Sequence, residues 1–172
     1  AGMGKTTLVE AFLATPEAAA VPAALGTCAE QHGSGEAYMP VLTALDGLCR
    51  GPAGAELVPV VARRAPTWVV QLPWLVPPEG LAALQQQVMG ATRERMLREM
   101  LETLRELATL RGLVLVLEDL HWSDGSTLDL LASLARRREP ARLLVVGTLR
   151  TAEDGREEAV HAVARELVAR GL

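Results

Sequence analysis

The stretch Ala1-Gly2-Met3-Gly4-Lys5-Thr6-Thr7 is the part of the sequence that decides the fold. It matches the second half of the phosphate-binding pattern G-x-x-x-x-G-K-[ST], whose first glycine would fall just before Ala1. In this pattern glycines let the backbone turn its N–H groups towards an anion, and the helix that follows adds its positive end. The stretch therefore predicts a phosphate-binding loop. A glycine-rich turn before a helix is the simpler alternative.

The residues of this loop have separate expected roles. The side chain of Lys5 reaches the terminal phosphates, and the hydroxyl of Thr6 binds Mg²⁺. The neighbouring backbone lines the phosphates. The expected cofactor-binding residues are therefore Gly2, Met3, Gly4, Lys5, Thr6 and Thr7.

Composition excludes several classes of protein. The 172 residues carry a net charge of −4 and include three tryptophans, one tyrosine and one phenylalanine, which argues against a basic, base-stacking nucleic-acid surface. No apolar run approaches the roughly 20 residues of a membrane span, and no signal peptide opens the chain. Cys28 and Cys49 make no disulfide framework, so we expect both to be reduced in a cytoplasmic protein.

Hydrophobic spacing predicts helices and strands that cover most of the chain. The predicted helices are residues 5–14, 40–49, 55–64, 66–74, 90–110, 126–138 and 160–168, and the predicted strands are residues 23–28, 113–117 and 142–149, with a turn at residues 32–35. Trp68 and Trp74 are expected to pack in the core. Arg95 and Glu99 form one of several charge pairs expected on the face of the longest helix opposite its apolar side.

The second informative stretch is LVLVLEDLHWSD at residues 113–124. Its aliphatic run is typical of a parallel strand buried on both faces, and it ends in Glu118 and Asp119, where ligands of open α/β sheets bind. One carboxylate there holds Mg²⁺, and its neighbour accepts a proton from an attacking water or orients it. The alternative is an acidic cap of the next helix, with Ser123 or Asp124 as the capping residue. The phosphate loop upstream favours the Mg²⁺ interpretation.

Arg150 follows the last predicted strand at its carboxyl end. A guanidinium in this place is suited to sensing a γ-phosphate. A surface salt bridge explains the residue equally well.

Three segments together resemble a known family. A-G-M-G-K-T-T, L-V-L-V-L-E-D-L-H-W-S-D and L-L-V-V-G-T-L-R are similar to the ATPase domain of the STAND branch of P-loop NTPases, and more narrowly to ATP-binding regulators of the LuxR and maltose-regulator type. The resemblance implies ATP and Mg²⁺ as cofactors. It matches Lys5 and Thr6 to the phosphate-binding lysine and the Mg²⁺ hydroxyl. It also matches Glu118 and Asp119 to the Walker B pair at the metal, and it gives Asp119 and the sensor arginine, Arg150, catalytic roles.

The sequence departs from this family in three respects. Glu118 stands where P-loop NTPases more often have aspartate, so Asp119 is expected to share or take over the metal contact. The first glycine of the loop and its strand have no counterpart, and neither do the family's later lid and winged helix. We therefore expect residues 1–172 to be a single, partial ATPase domain of a longer protein.

The resemblance also implies a fold. It predicts a three-layer α/β, P-loop NTPase-like domain with helices on both faces of a parallel sheet. The sheet is expected to be incomplete, with three strands and the Walker B strand in the middle. The outer edge of the last strand would then be unpaired.

The implied function is an ATP-binding and ATP-hydrolysing switch in a signalling or transcriptional regulator. Its partners would be ATP and effector domains attached in the longer protein, with no direct contact to nucleic acid or membrane, and nucleotide-dependent self-association is compatible with it. Two alternatives remain, a P-loop phosphotransferase and a degenerate NTPase domain that only acts as a scaffold.

Overall fold

A computed structural model describes residues 4–30, 36–136 and 142–149, together with residues 160, 162, 163 and 165. Helices and strands alternate in the α/β manner that the sequence predicts. The helices are α1 (Lys5–Leu13), α2 (Pro16–Ala19), α3 (Met39–Arg50), α4 (Gly54–Arg64), α5 (Pro66–Val69), α6 (Pro78–Gln87), α7 (Arg93–Arg111) and α8 (Gly125–Arg136). The strands are β1 (Ala23–Thr27), β2 (Leu113–Glu118) and β3 (Leu143–Gly147), and short 3₁₀ turns cover Pro73–Leu75 and Leu120–Trp122.

The sheet has three parallel strands in the order β1-β2-β3. Thr27 at the end of β1 pairs with Glu118, and Leu117 pairs with Gly147 of β3. The predicted topology of three parallel strands, with residues 113–117 in the middle strand, is therefore confirmed. All three strands end at the same edge of the sheet, so the residues that follow them are brought together there.

Helices cover both faces of the sheet. The side chains of β2 point alternately to the two faces, and each face has its own apolar cluster. Leu113, Leu115 and Leu117 belong to the larger cluster, which includes residues of α3, α4, α7 and α8. Val114 and Val116 pack instead with Val9 and its neighbours on α1. This arrangement confirms the predicted three-layer α/β architecture and explains the uninterrupted apolar run of β2.

A glycine in β1 allows α3 to lie directly against the sheet. A Cβ added at Gly26 would fall 2.0 Å from the backbone oxygen of Pro40, in the first turn of α3. Real side chains never approach a carbonyl oxygen so closely, so this packing requires glycine. The close approach brings the start of α3 to the carboxyl end of β1.

The two tryptophans of the 66–74 segment have different environments. Trp68 lies in α5, is fully buried, and donates a hydrogen bond of 2.9 Å from Nε1 to the backbone oxygen of Met96. Trp74 is 41% exposed. Its Nε1 donates to Asp46, and the Arg50 guanidinium lies 4.1 Å from its ring centre. The prediction that Trp74 packs in the core is therefore wrong, because these polar partners hold it at the surface.

Two further features differ from the sequence-based prediction. Residues 66–74 form α5 and a separate 3₁₀ turn, and α6 was not predicted. Glu99, expected on an exposed face, is 9% exposed. Its carboxylate accepts hydrogen bonds from the backbone and hydroxyl of Thr67 and from Arg95, so it satisfies the start of α5 as well as its helical neighbour.

Several predicted features lie outside the described residues. They are the loop residues Gly2 and Met3, the turn at 32–35, the end of the 126–138 helix beyond Arg136, the catalytic candidate Arg150 and most of the 160–168 helix. Within the described part of the chain, none of the helices has both the length and the apolarity needed to cross a bilayer.

Candidate functional site

The start of α1 has the properties of an anion-binding site. Gly4 adopts a left-handed conformation with φ of 73° and immediately precedes Lys5, the first residue of the helix. Among the described residues, no side chain caps this helix start and no acidic residue occupies its first turn. The first N–H groups of α1 are therefore left for an external acceptor, and the helix dipole favours a negatively charged one.

Lys5 adds a positive charge at the same place. It is the only lysine in the sequence, and the other residues in the Lys and Arg count are all arginines. A lysine ammonium is a compact point charge on a flexible stem, which suits contact with terminal phosphate oxygens. The residue type and its position at the helix start both favour phosphate binding.

The loop and the central strand meet through Thr6 and Glu118. The hydroxyl of Thr6 donates a hydrogen bond of 2.9 Å to Oε1 of Glu118. Glu118 ends β2 on the face of the sheet that α1 covers, because it follows Val114 and Val116 at two-residue spacing. Two of the three oxygen ligands predicted for Mg²⁺ are thus adjacent, although 112 positions separate them in the sequence.

Asp119 occupies a less common backbone conformation. Its φ of 53° and ψ of 46° are left-handed, a region that aspartate and asparagine tolerate better than most residues do. The chain therefore turns sharply between Glu118 and Asp119. The carboxylate of Glu118 consequently accepts a hydrogen bond from Thr6, whereas that of Asp119 lies beside His121.

Thr148 holds this turn in place. Its hydroxyl accepts a hydrogen bond of 3.0 Å from the backbone N–H of Asp119, and its backbone oxygen accepts one of 2.8 Å from Leu120. Its own N–H donates to the oxygen of Leu117 over 3.0 Å. Sequence reasoning missed Thr148. The one signal available was its position at the carboxyl end of a predicted strand, two residues before Arg150.

His121 lies behind Asp119 in the 3₁₀ turn that follows β2. Its side chain is 8% exposed, and its Nδ1 is 3.9 Å from Oδ1 of Asp119. This separation is too long for a hydrogen bond. Among the described residues, neither ring nitrogen of His121 has a hydrogen-bond partner, although both are buried.

Asp124 joins the starts of two helices. Its Oδ1 accepts hydrogen bonds from the backbone N–H of Thr127 over 2.9 Å and of Tyr38 over 3.1 Å, and Oδ2 accepts from the Thr127 hydroxyl. Asp124 is thus the cap of α8, as the sequence suggested for Ser123 or Asp124, and it also fixes the turn into α3. Capping is therefore the role of Asp124, while Glu118 and Asp119 make none of these contacts.

A cavity of about 530 Å³ opens beside this cap. It lies beyond the carboxyl ends of β1 and β2, between the starts of α3 and α8. Cys28 is one of its lining residues. Burial raises the pKa of the Cys28 thiol to about 11, with Ser123 partly offsetting the rise, so the thiol is protonated and a poor nucleophile at neutral pH.

The oxygen atoms gathered at the edge of the sheet fit Mg²⁺. Thr6 supplies a hydroxyl and Glu118 a carboxylate, which are the hard ligands that this ion prefers. Over the described residues, no group of three histidine, cysteine, aspartate or glutamate side chains forms a cage for a metal. This sparse ligand set agrees with a Mg²⁺ ion that takes one or two protein ligands and completes its shell with phosphate and water oxygens.

The structure therefore brings most of the predicted site residues to one edge of the sheet. Gly4, Lys5, Thr6 and Thr7 lie at the start of α1, and Glu118 and Asp119 lie at the end of β2. The direct contact between the two groups is that of Thr6 with Glu118.

Comparison with known proteins gives one match. A family model described as the AAA ATPase domain matches residues 1–146, which include the loop and the end of β2. No curated protein and no solved structure matches the chain.

Proposed function

Because the chain belongs to the AAA ATPase domain family, we propose that it binds ATP with Mg²⁺ at the start of α1 and hydrolyses it as a nucleotide-dependent switch. The observation that carries this proposal is the hydrogen bond from Thr6 to Glu118. In a phosphate-loop site the hydroxyl after the lysine and the carboxylate that ends the neighbouring strand share one ion.

Each residue has a defined task in this proposal. The N–H groups at the start of α1 and the ammonium of Lys5 bind the phosphates. Thr6 and Glu118 hold Mg²⁺. When bound, ATP with its Mg²⁺ supplies the phosphoanhydride bond and an electrophilic phosphorus. The contribution of this chain is to position these groups and stabilise charge.

Asp119 is the proposed catalytic carboxylate. It lies next to Glu118, but its carboxylate is beside His121, whereas the carboxylate of Glu118 accepts the hydrogen bond of Thr6. A carboxylate in that place orients an attacking water and accepts its proton. Arg150, two residues after Thr148 in the sequence, is proposed to sense the γ-phosphate.

The switch function has a candidate route through Thr148. This residue binds the backbone of both Asp119 and Leu120, so the end of β3 and the catalytic turn move together. We propose that nucleotide state is passed along β3 to effector domains of a signalling or transcriptional regulator of the STAND type, which resembles the LuxR and maltose-regulator proteins. A change of nucleotide state would then alter how the attached effector domains are presented.

Measurement of Mg-ATP turnover in the full-length protein tests this proposal against a scaffold role. Asp119→Asn keeps the shape of the side chain and removes its charge. We expect it to abolish turnover while Mg-ATP affinity stays within about threefold of wild type. Asp46→Asn, a change at a partly exposed position on α3, is the matched control and should retain full turnover. A wild-type protein that binds Mg-ATP and never hydrolyses it would instead be a scaffold.

A further inference from the structure

The cavity beside the Asp124 cap is a second place where this chain can bind a small molecule. Its volume of about 530 Å³ falls within the range of small-molecule sites, roughly 300–1,000 Å³. Neither Thr6 nor Glu118 is among the residues that line it. The cavity is therefore distinct from the phosphate site, although both lie beyond the carboxyl edge of the sheet.

His121 presents unpaired polar atoms at this cavity. It lines the cavity, its side chain is 8% exposed, and within the described structure both of its buried ring nitrogens lack hydrogen-bond partners. A neutral imidazole carries one hydrogen-bond donor and one acceptor. In native proteins the large majority of buried side-chain polar atoms have a hydrogen-bond partner. A ligand in the cavity would satisfy the ring.

The charge of the lining indicates the sign of that ligand. Three carboxylates, Glu36, Asp124 and Asp129, face one guanidinium, that of Arg93. Asp124 is occupied by its three capping bonds, which leaves Glu36 and Asp129 to meet a ligand. The local field is negative. Burial chiefly, followed by Asp129 and Asp124, raises the pKa of nearby Tyr38, against a smaller opposing effect of Arg93.

Part of the remaining wall of the cavity is apolar. Met39, Trp122 and Leu128 contribute hydrophobic surface on three different elements, namely α3, the 3₁₀ turn and α8. Small-molecule sites commonly combine an apolar lining with a few convergent polar groups. A molecule with a cationic head and an apolar body fits this combination.

We propose that the cavity binds a small organic cation, a protonated amine carried on an apolar body, which acts as an effector of the neighbouring site. The ammonium group donates hydrogen bonds to the carboxylates of Glu36 and Asp129 and to one ring nitrogen of His121. The apolar body packs against Trp122 and Leu128. Since His121 is 3.9 Å from Asp119, the occupant alters the surroundings of the catalytic carboxylate. Only this last step rests on the proposed function.

Calorimetric titration with tryptamine, without nucleotide, tests the binding step. Tryptophol has the same indole and ethyl groups with a hydroxyl in place of the ammonium, and it is the matched neutral probe. Asp129 is exposed, so Asp129→Asn removes charge without disturbing the core. Glu79→Gln, on exposed α6, removes the same charge away from the cavity.

We expect tryptamine to bind at least about tenfold more tightly than tryptophol, and Asp129→Asn to reduce that affinity about three- to tenfold. Glu79→Gln should leave it unchanged. Three results would overturn the site: equal affinity for both probes, no binding of tryptamine at about 10 mM, or an equal loss in Glu79→Gln.

The coupling is measured separately, as a change in Mg-ATP turnover on addition of tryptamine. A change that Asp129→Asn shifts to about three- to tenfold higher tryptamine concentration supports the effector role, and turnover unaffected by saturating tryptamine refutes it. Tryptamine binding in a protein without any ATP turnover would keep the site and overturn the proposed function, so the two failures are distinguishable.

Discussion

The hydroxyl of Thr6 donates a hydrogen bond of 2.9 Å to the carboxylate of Glu118, which joins the first helix to the end of the central strand. The contact is exposed, so by itself it stabilises the fold by about 1 kcal/mol or less. Its interest lies in what it positions. Two oxygen ligands suited to Mg²⁺ meet at the start of α1, where Lys5 also lies.

A double-mutant cycle on Thr6 and Glu118 measures whether the pair acts as one unit. Thr6→Val and Glu118→Gln should each weaken Mg-ATP binding, because the first removes an oxygen ligand of the ion and the second removes the negative charge of the other ligand. The double variant should lose less than the sum of the two, with a coupling of about 1 kcal/mol or more. Isothermal titration with Mg-ATP gives the three differences. Thr109→Val on α7 is the control, and strict additivity would contradict a shared ion.

Thr148→Val removes the hydroxyl that accepts the N–H of Asp119. Because the left-handed turn then loses a stabilising bond, we expect the free energy of unfolding to fall by about 1–2 kcal/mol. Mg-ATP turnover should fall as well, since Asp119 is no longer fixed. Thr148→Ser keeps the hydroxyl and should restore both quantities, as measured by urea unfolding and an ATPase assay. A Ser variant as impaired as the Val variant would show that the methyl group, not the hydroxyl, matters.

Gly26→Ala places a Cβ 2.0 Å from the backbone oxygen of Pro40, so α3 must move away from β1. We expect a loss of about 2 kcal/mol or more in urea unfolding. Gly47→Ala in the same helix is the matched control, since nothing lies within 4 Å of its added Cβ. That change should stabilise the protein by up to about 1 kcal/mol through helix propensity. Equal effects at the two positions would contradict the close packing of α3 on the sheet.

The two buried thiols should react slowly and with a shifted pH profile. Burial raises the pKa of Cys28 and Cys49 from 9.0 to about 11. Alkylation by iodoacetamide, followed by mass spectrometry, should therefore keep accelerating between pH 9 and 11 in the folded protein, and level off near pH 9 in urea. Because the folded pKa is the higher one, the associated stability is complete below pH 9 and declines as the pH rises through 11. A folded-state rate that levels off near pH 9 would contradict the shift.

Much of the fold could be predicted because its signals are local. The aliphatic run of β2 indicates burial on both faces, and the two clusters that receive its alternating side chains show why. Glu118 and Asp119 could be singled out because the end of such a strand is where ligands bind in open α/β sheets. Lys5 and Thr6 carry a pattern that is legible without any structure.

The features that escaped prediction depend on partners distant in sequence. Thr148 is important because its hydroxyl accepts a hydrogen bond from the N–H of Asp119, 29 positions earlier. Hydrophobic periodicity does not predict a contact of this kind. Trp68 and Trp74 lie in the same proline-flanked apolar segment, yet polar partners on α3 hold Trp74 at the surface while Trp68 is buried. The spacing of charges on α7 predicts an exposed Glu99, but the residue is buried because α5 packs against it.

The affinity for Mg-ATP of the full-length protein and its Lys5→Ala variant tests the central claim most directly. Lys5 is the only lysine in the sequence, so the change removes one defined phosphate contact. Arg98→Ala removes a cation from an exposed position on α7 and serves as the control. We predict that Lys5→Ala weakens Mg-ATP binding by at least about tenfold, while Arg98→Ala leaves it unchanged. Unaltered binding in Lys5→Ala would contradict a nucleotide site at the start of α1.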